Sequence, residues 1–112
     1  MSNDFNIISE IHNNALVIRT DGYINNVAGE KIVEEFSNNF SGGMNKVVMD
    51  LGKSKVVNSI GISYLIDIIE KINDSNGKLI FTNLDPTVEK TFNIMGIFQF
   101  AQKADSVEAA LK

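Results

Sequence analysis

The chain has no cysteine or tryptophan, one proline (Pro86) and one histidine (His12) among its 112 residues. Without cysteine it has no disulfide framework, thiol nucleophile or thiolate metal site, which suits a reducing, cytoplasmic setting. One histidine cannot assemble a zinc site, so neither metal nor cofactor is expected. Cations are sparse as well: ten Lys and Arg stand against fourteen Asp and Glu, a net charge of −4, with no basic cluster. Nucleic acid and anionic membrane both require concentrated Lys and Arg, so neither is expected as a direct partner. A protein surface is the better expectation. No apolar run approaches the roughly 18 residues that span a bilayer. The start Met1-Ser2-Asn3-Asp4-Phe5 lacks the basic and then apolar stretches of a leader. No Gly-x-x-x-x-Gly-Lys phosphate loop or Gly-x-Ser-x-Gly elbow occurs, which argues against an enzyme.

The remaining residues suit one domain spanning 1–112. At 44% hydrophobic the chain can fold around one core without staples. Phe5 to Ile11 and Ala15 to Thr20 read as a hairpin around a His12-Asn13-Asn14 turn that leaves His12 exposed. After Asp21-Gly22, with Gly22 as a turn residue, Ile32, Val33, Phe36 and Phe40 recur at helical spacing up to Ser41-Gly42-Gly43. Val47 to Leu51, apolar on both faces, reads as a central strand. A second helix begins at Asn58 or Ser59 and runs to Asn73, closed by Asn76-Gly77. Lys78 to Thr82 is the next strand, and Asp85-Pro86 caps a third helix that ends at Met95-Gly96. Ile97 to Phe100 is expected to be a last short strand, and Asp105 with Glu108 the capping box of a terminal helix. No internal repeat is apparent. The order β-β-α-β-α-β-α-(β)-α is an α/β fold: a mixed sheet of four or five strands that opens with a hairpin, its later strands parallel and covered by helices.

On a helical wheel Ile62, Leu65, Ile66, Ile69 and Ile72 form the core stripe, while Ile60 and Tyr64 point away from it beside Asp67 and Lys71. Gly61 permits either close approach of a partner or tight packing on a neighbouring strand. Met44, Met49 and Met95, with Phe92, Phe98 and Phe100, read as packing residues. Ser59 stands in the first turn of the second helix, where unpaired backbone N–H groups tolerate a phosphate; the plainer reading makes it a simple N-cap.

Asp50-Leu51 at the strand end, Asn58-Ser59-Ile60-Gly61-Ile62 at the helix start, Thr20 to Asn25, Leu84 to Val88 and Asp105 to Leu111 appear in an order that resembles the STAS family. Bacterial anti-sigma-factor antagonists typify that family, and the likeness covers nearly the whole chain. The resemblance implies that Ser59 is a phosphoacceptor and that Asn25, Asn58 and Ser59 meet an anti-sigma factor or serine kinase; Ile60, Gly61 and Tyr64, within about one turn of Ser59, are expected to join that contact. Asn58 and Asn25 stand where the phosphorylatable subfamily usually carries acids, and Ile60 replaces a small hydroxyl residue. The alternatives are a non-phosphorylated STAS adaptor of a lipid-transport or stressosome-like complex and a phospho-aspartate receiver using Asp50. A receiver, however, needs an acidic pair near its first strand, where this chain has only Asp4 or Glu10.

Overall fold

The computed structural model describes residues 5–112; the Met1–Asp4 start, including Asp4, lies outside the described residues. Strands β1 (Asn6–His12) and β2 (Ala15–Asp21) form the opening hairpin. Helix α1 (Asn26–Asn39), strand β3 (Lys46–Lys53), helix α2 (Ser59–Asp74), strand β4 (Lys78–Thr82) and helix α3 (Pro86–Ile94) then alternate. A 3₁₀ turn (Ile97–Gln99), strand β5 (Gln102–Ala104) and helix α4 (Val107–Leu111) complete the chain. The sheet order is β1-β2-β3-β4-β5, with β1 antiparallel and the remaining neighbours parallel.

That order decides where the helices go. Each parallel step moves one strand in the same direction, and crossovers are overwhelmingly right-handed, so α1, α2 and α3 fall on one face. Their apolar residues Ile32, Phe36, Leu65, Ile72, Val88 and Phe92 accordingly meet Leu16, Ile18, Val47, Met49, Leu79 and Phe81 in the main core. The opposite face carries Val17, Val48 and Ile80 under Val107 and Ala110 of the short α4. Lys46 Nζ fastens this helix by donating to the Ala110 carbonyl at 2.8 Å.

Several expected details are corrected. His12 ends β1 opposite Ala15, so the turn is Asn13-Asn14 alone; Asn13 adopts φ +56°, which asparagine tolerates. His12 is nonetheless exposed, hydrogen-bonded to Glu10. That hydrogen bond, with Arg19 nearby, holds the Glu10 carboxyl below its usual range. Ile97 to Phe100 is not a strand: left-handed Gly96 (φ +74°) turns the chain into the 3₁₀ turn that buries Ile97, and the last strand starts at Gln102. Ser106, not Asp105, caps α4 by accepting from Ala109 N–H. On α2 the buried stripe is rotated toward α1: Ile68 is fully buried, whereas Ile66 is half-buried. Met95 and Phe100 are exposed rather than packed.

A polar brace crosses the sheet at the end that leads into the helices. Arg19 donates to Asp50 Oδ2 at 2.9 Å, while Asp50 Oδ1 accepts from Gly52 N–H at 2.9 Å and Asn83 Nδ2 at 3.1 Å. Both carboxylate oxygens are therefore occupied. Asp50→Ala would remove the acceptor of three donors that water can partly reach, and we expect a loss of about 1 kcal/mol in urea unfolding.

Candidate functional site

Chain segments leaving β2 and β3 run side by side before entering α1 and α2. Ile24 forms a parallel bridge with Val57, made by Ile24 N–H to Val56 O and Asn58 N–H to Ile24 O, both at 3.0 Å. The loop on the β3 side is fixed along its length. Gly22 N–H donates to Lys53 O at 3.0 Å, and the buried hydroxyls of Thr20 and Ser54 share a 2.7 Å hydrogen bond.

From this bridge two helices start in step. Asn25 caps α1, its Oδ1 accepting from Ala28 N–H at 3.0 Å, and Asn58 caps α2, its Oδ1 accepting from Gly61 N–H at 2.8 Å. Because Ile24 pairs with Val57, Asn25 lies alongside Asn58, and Val27 and Ile60 occupy matching places in the two first turns. The stretches Ile24-Asn25-Asn26-Val27-Ala28 and Val57-Asn58-Ser59-Ile60-Gly61 share one pattern: apolar, asparagine, polar, apolar, small. This short internal correspondence, five residues long and so below the length of a structural repeat, is the sequence signal that marks Val27.

Ser59 is the first residue of α2 and is exposed. It is not the cap, since Asn58 satisfies the first-turn N–H, so its hydroxyl is not needed to start the helix. Ile60 is 53% exposed beside it, and Tyr23, Val27 and Val56 are about as exposed, making an apolar rim around the two asparagines. Tyr23 and Val56 were not anticipated; single apolar residues before a bridge carry no periodic pattern.

Two predicted contact residues of the same helix face inward. Gly61 is buried, and a Cβ added there would stand 2.3 Å from the Ile24 carbonyl oxygen, so of its two readings the structure has close packing. Tyr64 is half-buried and does not point away from the body of the protein: its ring lies against Gly29 of α1, where a Cβ would come within 2.3 Å of Tyr64 Cδ2. Its hydroxyl donates to Glu30 Oε2 at 3.4 Å. Partial burial, with the Glu30 carboxylate, pushes the Tyr64 phenol above its usual value.

The arrangement suits docking better than catalysis. His12 is at the opposite end of β2, roughly 20 Å away by strand rise, and cannot serve Ser59 as a base. The receiver alternative also falls: the chain opens with an antiparallel hairpin where a receiver has a crossover helix, and Asp50 is engaged in the brace.

Gly61→Ala drives a methyl group into backbone, and we expect it to destabilise the fold by about 1–3 kcal/mol in chemical denaturation. Tyr64→Ala should lower the unfolding midpoint because it empties the α1–α2 contact, whereas Ile60→Asp should leave the midpoint nearly unchanged.

Comparisons with known proteins agree with this architecture. The STAS domain family model matches residues 6–110. BtrV of Bordetella bronchiseptica, a candidate anti-sigma factor antagonist, is 27% identical over 95 residues, covering 85% of this chain and 82% of that protein. Among solved structures, an anti-sigma factor antagonist from Mycobacterium paratuberculosis superposes with a TM-score of 0.84 at 17% identity, over 99% of this chain and 94% of the other. The Bacillus cell fate determinant SpoIIAA in its phosphorylated form gives 0.73 at 23% identity, over 93% and 96%. With the family model spanning almost the whole fold and these structures sharing it, the chain belongs to the STAS domain family.

Proposed function

We propose that this protein is an anti-sigma factor antagonist: its α2 tip docks on an anti-sigma factor with serine kinase activity, freeing the sigma factor and so regulating transcription in the cytoplasm. Phosphorylation of Ser59 by that partner reverses the competition. One observation carries the reading: Ser59 is exposed in the first turn of α2 while Asn58 does the capping, so the hydroxyl can be modified without dismantling the helix. The mycobacterial neighbour, described as an anti-sigma factor antagonist, and BtrV, a candidate one, support the choice of partner.

The electrostatics follow from the two asparagine caps. A phosphoserine adds about −1.5 to −2 charges, and a helix N-terminus offers roughly half a positive charge to receive them. Neutral Asn25 and Asn58 set no carboxylate against that phosphate. The helix keeps its shape, but an apolar partner surface closed over Ile60 and Val56 would have to bury the new charge. A loss of only about 1.4 kcal/mol weakens binding tenfold. The same missing carboxylates support a second reading, a constitutive STAS adaptor, in which Ser59 contacts the partner and is never modified.

Affinity capture from the native cells, followed by intact-mass spectrometry, identifies the partner and any phosphate on Ser59. With that partner purified, Ser59→Ala should bind like the unaltered chain, and Ser59→Glu at least tenfold more weakly, with both unfolding midpoints unchanged. Equal binding by Ser59→Glu would overturn the switch, and a stable complex lacking phosphate in every growth condition would favour the adaptor.

A further inference from the structure

A second apolar surface lies farther along α2. Between this helix and the turn after α3 runs an open groove of about 200 Å³, floored by Ile69 and Ile97 and walled by Ile66, Glu70, Met95 and Phe100. Its rim is unusually bare: Phe100 is 64% exposed, Met95 51%, and neighbouring Ile94 75%. Ser59, Ser63, Ile66, Glu70 and Asn73 recur at helical spacing, so one stripe of α2 leads from the phosphoacceptor candidate into the groove. Seven residues separate Ser59 from Ile66, about 10 Å along the axis.

We propose that this groove is the second half of the docking face, receiving an apolar side chain from the same anti-sigma factor that meets Ser59. This rests on the functional reading above. Size supplies the first argument. A specific interface engages about 20–30 residues a side, and Tyr23, Asn25, Val27, Val56, Asn58, Ser59 and Ile60 fall far short of that. The contact must spread, and the stripe on α2 leads to apolar surface within one interface radius. Volume supplies the second: small-molecule sites measure about 300–1,000 Å³, so this groove fits a side-chain anchor better than a metabolite.

Charge sets the partner's chemistry. Glu70 stands on one wall of the groove, and on the exposed side of α2 around it Asp67 and Asp74 outnumber the single cation Lys71, leaving the face net acidic. The complementary element is an amphipathic helix with a large aliphatic or aromatic residue flanked by Lys or Arg. Met95 is suited to such a site because its unbranched side chain adapts to the shape inserted. The remaining exposed isoleucines on strands, Ile8 and Ile11, are on β1 at the far edge of the sheet and are not part of this face.

The test places the photocrosslinker p-benzoylphenylalanine in native cells at Ile60, Phe100 or, as control, Ile8. Capture of the same anti-sigma factor kinase from positions 60 and 100 but not 8 is the expected result. The double variant Met95→Lys with Phe100→Ser should then raise the Kd for that purified kinase at least tenfold without moving the unfolding midpoint. Capture from position 60 alone, or unchanged binding by the double variant, overturns the groove and leaves the α2-tip reading standing. Crosslinking of position 100 to a second copy of this chain also overturns it, making the groove a self-association surface. If neither position yields an anti-sigma factor, the groove and the functional reading both fail.

Discussion

The paired helix starts at the candidate site depend on four neighbouring parallel strands connected always in the same direction. Right-handed crossovers between β2, β3, β4 and β5 place α1, α2 and α3 on one face and set their N-termini along one edge. Two of those starts are tied together by the Ile24–Val57 bridge. Asn25 and Asn58 thus become neighbours, and Ser59 is held beside them although it is far from Asn25 in sequence. The site is a consequence of topology before it is a matter of particular side chains.

Glycine makes that proximity possible. At Gly61 the backbone of α2 comes so near the Ile24 carbonyl that no side chain fits, and at Gly29 the ring of Tyr64 takes the place a side chain would occupy. α1 and α2 are therefore locked at both the tip and the next turn. Tyr64 belongs to that lock, which separates it from Ile60 although the two are one turn apart. Ile60 serves the surface, and Tyr64 helps fix the angle at which that surface is presented.

The hairpin, the central strand, all four helices and the core residues Leu65, Ile69 and Ile72 were legible because period and turn chemistry are local signals. Capping by Asn58 was one of two open choices, decided by which side chain reaches Gly61 N–H. The chain after Met95 misled for the same local reason: Ile97 to Phe100 has the composition of a strand, but left-handed Gly96 coils it into a 3₁₀ turn. Tyr64 was placed by a wheel that knows one helix and nothing of its neighbour. Burial of Ile68 and the half-exposure of Ile66 have the same origin, since α1 covers one flank of α2. Ser59 stands out in the sequence by its place at a helix start and by family likeness, but that its hydroxyl is spare depends on Asn58 reaching Gly61 N–H.

The segment between β3 and α2 has little freedom left. Asp50 holds Gly52, Gly22 holds Lys53, Thr20 holds Ser54, and Ile24 brackets Val56 and Asn58. If the proposed docking is right, a loop so thoroughly tied down gives up little conformational entropy when the partner arrives. Association can then proceed as rigid-body docking, and discrimination among partners falls to shape and charge instead of to induced folding.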